Sequence, residues 1–178
     1  MSHLLALLLL AAPPVEAAAC EKLEPLPDTV QVAWVSTLEK TVRSGSWLEV
    51  VRVSDLRTWL RAKQADPLRL LQGLGMVDRK EKELGADVYK VTLFDVKKEW
   101  LCRPVEDRTE GEDLSGVPAC EASQQRRSRP AKEGFTGCGY TLDTGASARG
   151  LDVFRIEWGA ASAWGFCTLP LDRFLKGA

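Results

Sequence analysis

The sequence predicts an α+β fold: a mostly antiparallel sheet with two helices on one face, held by two disulfides. Three observations point there. Short β-branched and aromatic runs recur along the chain, separated by glycine, proline and serine turns. Two helical stripes sit side by side between the early and the late strands. Five cysteines are present, and four of them, Cys102, Cys120, Cys138 and Cys167, fall in the second half.

In order along the chain, residues 1–19 read as a signal peptide. Nine apolar residues, 4–12, are broken by Pro13-Pro14-Val15-Glu16 and closed by Ala17-Ala18-Ala19 ahead of Cys20. The run is too short to cross a bilayer, which takes about 20 apolar residues. Its removal takes away His3, the only histidine. Residues 20–29, with two prolines and three acids, read as a membrane-proximal tether. Residues 30–178 then form a single globular domain, long enough to bury a core of its own.

Within that domain, residues 30–35 alternate, with Val30, Val32 and Trp34 on one face. Ser44-Gly45-Ser46 marks a turn, and 38–42 can pair back as a hairpin onto the β-branched strand 47–53. Ser54 and Asp55 open a helix carrying Leu56, Trp59 and Leu60 on one stripe. Asp66 caps a second, started by Pro67, carrying Leu68, Leu70, Leu71 and Leu74, and ended by Gly73 and Gly75. The charged run 78–84 reads as one or two solvated helical turns.

Residues 88–102 are the longest extended stretch. Lys98 interrupts the period of Phe94, Val96, Trp100 and Cys102, so a central strand is expected to become an exposed ribbon near 95–99. Residues 103–137 show no periodicity and form a long loop, acidic in its first half and basic in its second, with Cys120 stapling it down. Strands follow at 140–142 and 152–158, the latter with Phe154, Ile156 and Trp158 inward and Arg155 and Glu157 outward. A last strand, 164–169, leads into a short closing helix with Phe174 and Leu175 packed down.

Ala18-Ala19-Cys20 resembles the cleavage site of bacterial lipoproteins. That resemblance implies an acylated Cys20 as the new N-terminus, carrying several acyl chains. Ala17 departs from the pattern, which prefers leucine there, and no Lys or Arg precedes Leu4. Ordinary secretory cleavage after Ala17 or Ala19 is the alternative. An odd cysteine count leaves one thiol unpaired in an oxidising compartment. Acylating Cys20 removes the odd one and leaves Cys102, Cys120, Cys138 and Cys167 for two disulfides, of open connectivity, each contributing about 2–4 kcal/mol.

Apart from residues 1–19, the chain carries 24 basic and 24 acidic groups, so no global field draws it to nucleic acid. Asparagine is absent, which excludes N-glycosylation and, with the Ala-, Arg- and Leu-rich composition, suggests a GC-rich bacterial source.

Leu142-Asp143-Thr144-Gly145-Ala146-Ser147 resembles the active-site signature of aspartic proteases. The resemblance implies a catalytic Asp143 on a tight turn, sharing a proton with a second copy. Only 33 residues follow Gly145 and no second such triplet occurs, so activity would require a homodimer. Asp-Thr-Gly between strands is equally good turn chemistry.

No cofactor is implied: the pairs Gly73/Gly75 and Gly137/Gly139 lack the third glycine and the strand-to-helix setting of a dinucleotide loop. No metal is implied either. Without histidine and with oxidised thiols zinc lacks ligands, and the acids of 106–113 lack the spacing of a calcium loop.

Two weaker contact candidates remain. Arg126, Arg127 and Arg129 could meet anionic lipid, phosphate or glycan, against the plain reading of a solvated loop. Of six tryptophans, most take core-facing positions. Trp100 and Trp164, flanked by Glu99 and by small residues, are the expected exposed pair and a candidate contact surface.

Together these features predict an exported, lipid-anchored protein of the bacterial outer membrane or periplasm. It is expected to bind or scaffold other envelope proteins, reaching the membrane through its N-terminal lipid. A secreted hydrolase using Asp143 and an inhibitor or immunity protein acting through the loop 103–137 are the alternatives.

Overall fold

The computed structural model describes residues 24–37, 42–63, 70, 74, 88–104, 115–121 and 151–177. Their five strands are β1 (Thr29–Thr37), β2 (Trp47–Arg52), β3 (Tyr89–Lys97), β4 (Val153–Glu157) and β5 (Phe166–Pro170). They form one antiparallel sheet in the order β4-β2-β1-β3-β5. Helices α1 (Val53–Lys63), α2 (Trp158–Ser162) and α3 (Leu171–Lys176) complete the described elements. The α+β class is therefore as the sequence predicts.

β1 lies at the centre because it carries apolar side chains on both faces. Ala33 and Val35 point into one core layer, and Val30, Val32 and Trp34 into the other. Each such buried side chain contributes about 1.5–3 kcal/mol relative to exposure. The first layer lies under α1 and α3. Leu56, Trp59 and Leu60 of α1, spaced three and four residues apart, pack there beside Leu171 and Phe174 of α3. The second layer is roofed by Leu26, Leu101, Val117 and the α2 residue Ala161.

The turn before β2 is fixed from a distance. Gly45 takes a positive φ of 78°, which favours glycine. Its N–H donates to Glu157 Oε1 at 2.9 Å, and the Trp158 N–H donates to the Ser46 carbonyl at 2.8 Å. The start of β2 is thus tied to the end of β4.

The two outer borders of the sheet are treated differently. Along β4, Cys102 pairs with Arg155 through reciprocal backbone bonds of 3.0 and 2.8 Å. Arg103 then bridges to Ala119, and the Cys102–Cys120 disulfide locks this extra layer in place. No described residue pairs with the outer border of β5.

Several expectations are corrected. One disulfide is present among the described residues, not two: Cys102 pairs with Cys120, and Cys167 is a free, exposed thiol. Cys167 sits on β5, opposite Leu93 of β3. Of the described helices, α1 and α3 pack on one face and α2 on the other, and Leu70, from the expected second helix, packs in the same cluster as α1. The predicted second helix and hairpin fall on residues mostly outside the described ones.

Part of the expected tether is docked: Leu26 is buried, Glu24 pairs with Arg52 at 3.3 Å, and Asp28 pairs with Lys98 at 2.7 Å. The ribbon expected near 95–99 is instead a clean strand end followed by a 3-10 turn, Lys98–Trp100. Arg155, expected outward, is buried because the Cys102 segment covers β4.

Candidate functional site

The site is built from the β3–β5 pairing. Phe94 stands opposite Phe166 in that register, so the residues just beyond each strand, Trp100 and Trp164, arrive at the same end of the sheet. Gly165, at φ 92°, permits the bend that turns the chain from α2 into β5. The result is an edge-to-face contact between Trp100 and Trp164, with ring centroids 5.3 Å apart. Lys97 Nζ lies 5.7 Å from one ring centroid and 5.4 Å from the other, within cation–π range.

Trp164 is 56% exposed and Phe166 is 53% exposed, the two large apolar side chains that face solvent among the described residues. Phe166 is the outer end of an aromatic ladder. It contacts Trp158 at 5.4 Å, and Trp158 reaches Phe94 at 5.9 Å and the buried Trp34 at 6.4 Å. The exposed rings are therefore braced by the core and present a firm surface. Charge around them is balanced locally. Lys97 pairs with Glu99 at 3.6 Å, and Lys98 pairs with Asp28, whose carboxyl it holds below the usual range through its hydrogen bond and its charge.

On the stapled side, a cleft of about 320 Å³ opens between Trp47, Trp100 and the Cys102–Cys120 segment, with Glu99, Glu121 and Glu157 among its lining residues. Glu157 is committed to the Gly45 turn. Behind this segment lies a buried ion pair. Arg103 is 0% exposed; it donates to Asp152 and stacks over Phe154 at 4.6 Å from the ring centroid. Burial pushes the Asp152 carboxyl up to about 6, against the opposing pull of Arg103. Arg155 reaches Glu49 at 3.5 Å, and burial lowers its pKa. Arg103, Asp152 and Arg155 are buried, whereas Glu49 is half exposed.

No protein-family model, curated protein or solved structure matches the chain.

Of the residues singled out from sequence, the structure brings Trp100 and Trp164 into contact, but only Trp164 is exposed as expected; Trp100 is half-buried against the core. Cys102 and Cys120 are joined, and Cys167 stands alone on β5. Asp143, Cys20, Cys138 and the arginines Arg126, Arg127 and Arg129 lie outside the described residues. Around Cys120, Val117, Ala119 and Cys120 are buried, and the rest of the loop 103–137 lies mostly outside the described residues. Among the described residues no group of three acids, cysteines or histidines is placed to hold a metal ion.

Sequence reasoning missed Phe166, Lys97 and the border of β5 with which no described residue pairs. Phe166 carried a readable signal. It stands two residues after Trp164, so both rings fall on one side of an extended chain.

Proposed function

We propose that this chain is an exported, lipid-anchored protein of the bacterial envelope that binds other envelope proteins through the free border of its sheet. The observation that carries this reading is the asymmetry of the two borders. β4 is covered by a disulfide-locked segment, whereas no described residue pairs with the outer backbone groups of β5, which lie beside two exposed aromatic rings. Natural sheets usually block such edges, because an unpaired strand templates pairing with another chain. Among the described residues this edge is short, unpaired and beside the braced Phe166 ring, which suits addition of one extended segment from a partner, with Phe166 supplying specificity.

The disulfide supports an oxidising compartment. The apolar leader and Ala18-Ala19-Cys20 support export and acylation.

The test places a photo-crosslinking residue at position 167 on β5, with Asp172 on α3 as the control position, in cells that express the protein. The expected result is an adduct with a defined partner in the envelope fraction from position 167 but not from 172. Retention of Met1 with the chain in the cytoplasmic fraction, or the same pattern from both positions, overturns the proposal.

A further inference from the structure

We infer that the sheet end carrying Trp100 and Trp164 rests on a phospholipid bilayer, with the two indoles at headgroup depth. This goes beyond the partner-binding border and rests on the reading of Cys20 as acylated.

The argument begins with where the chain enters the domain. β1 starts at Thr29, opposite Lys97 at the end of β3, and β5 starts at Phe166, opposite Phe94. The entry point and the tryptophan pair therefore share one end of the sheet. The two lysines between them link the features directly. Lys97 lies against both indoles, and its neighbour Lys98 holds Asp28 by a 2.7 Å ion pair and by a 3.0 Å backbone bond to the Asp28 carbonyl.

The entry segment is also pinned upstream, where Glu24 meets Arg52 at 3.3 Å and Leu26 is buried. Cys20 precedes Glu24 by four residues. A fully extended chain covers at most about 3.5 Å per residue, so an acylated Cys20 lies within about 14 Å of Glu24. A lipid on so short a lead holds the domain against the membrane by this end.

What that end presents suits the headgroup layer. Indole rings are apolar with one polar N–H and concentrate at membrane–water boundaries. The Lys97 ammonium lies against both rings and beside Glu99. The ion pairs Lys97–Glu99 and Lys98–Asp28 cancel the local charge. The contact therefore works on zwitterionic lipid, without anionic headgroups and with little dependence on salt.

The test uses the full processed protein, purified in detergent and reconstituted into phosphatidylcholine vesicles whose acyl chains are brominated at a shallow or a deep position. Indole fluorescence is expected to be quenched more by shallow than by deep bromine, and Trp164→Phe is expected to lose most of that quenching. Trp164 is more than half exposed, so this variant keeps its fold. Absence of quenching in the wild type, or undiminished quenching in Trp164→Phe, overturns the inference. So does protection of Trp164 by membrane proteins but not by pure lipid, which would assign the rings to a protein partner.

Intact mass of the same sample reports acylation separately. If no acyl groups are found, the anchor reading fails. The indole contact is then decided by adding vesicles to the unacylated chain: shallow quenching supports it and none overturns it.

Discussion

Trp100 and Trp164 meet edge to face, 5.3 Å between ring centroids, because β3 and β5 pair in a register that sets Phe94 opposite Phe166. An aromatic pair of this geometry contributes about 0.5–1.5 kcal/mol beyond simple burial. A double-mutant cycle of Trp100→Ala and Trp164→Ala, read by urea unfolding, should return a coupling in that range. A coupling of zero would show that the rings do not act as a pair.

Removing the Cys102–Cys120 bridge should cost about 3 kcal/mol, the loop-closure value for a crosslink spanning a loop of this size. The double variant Cys102→Ser, Cys120→Ser should show this as a lower urea midpoint. It should also form soluble aggregates on gel filtration, since the outer border of β4 loses its cover. Reductant should shift the wild type toward the variant and leave the variant unchanged.

Asp152 gives stability a defined pH dependence. Its carboxyl is raised from 3.8 to about 6 by burial, so the folded state holds a proton that the unfolded state releases. Its contribution is therefore greatest below about pH 4, falls as pH rises toward 6, and is constant above that. The span is about 3 kcal/mol for a shift of this size. Asp152→Asn, which keeps an acceptor for Arg103, should flatten this slope when unfolding free energy is compared with wild type across pH 3.5–7 (about the interval set by the two pKa values). Parallel curves for the two proteins would refute the assignment.

Arg103→Met should destabilise by about 3–5 kcal/mol, because it leaves the Asp152 carboxylate buried without its counter-charge. The methionine also loses the stacking on Phe154. Chemical denaturation measures the loss. A carboxyl titration by NMR should place Asp152 higher in the variant than in the wild type, and an unmoved titration would show that the two groups are uncoupled.

The strands β1, β2 and β4 and the helix α1 were legible in the sequence, because β-branched and aromatic runs mark the strands and apolar residues three and four apart mark the helix. Where tertiary contacts decide, the pattern falls silent. The stop after Lys97 depends on the Lys98 N–H finding the Asp28 carbonyl, a partner brought by the chain's entry into the sheet. Helix α2 is built of Trp158, glycine, alanines and serine, too few and too small to show a stripe, and it forms because Ala161 fills the second core layer.

Arg155 alternates outward in the strand pattern, yet the Cys102 segment, about 50 residues upstream in sequence, closes over it. The tryptophan pair shows both sides of this. Each ring was recognisable as a surface candidate from its polar or small neighbours. Their meeting was not, since it depends on the register of two strands far apart in the chain. Cysteine pairing was hidden for the same reason.

Both flanking strands of the sheet, β4 and β5, come from residues 153–170, while the three inner strands come from earlier in the chain. Synthesis therefore delivers the middle of the sheet first and its sides last, together. A nascent chain halted before Val153 would keep β1 between β2 and β3 but lack the strand that flanks each of them in the finished sheet. An early stop codon therefore removes a strand from both sides of the sheet at once.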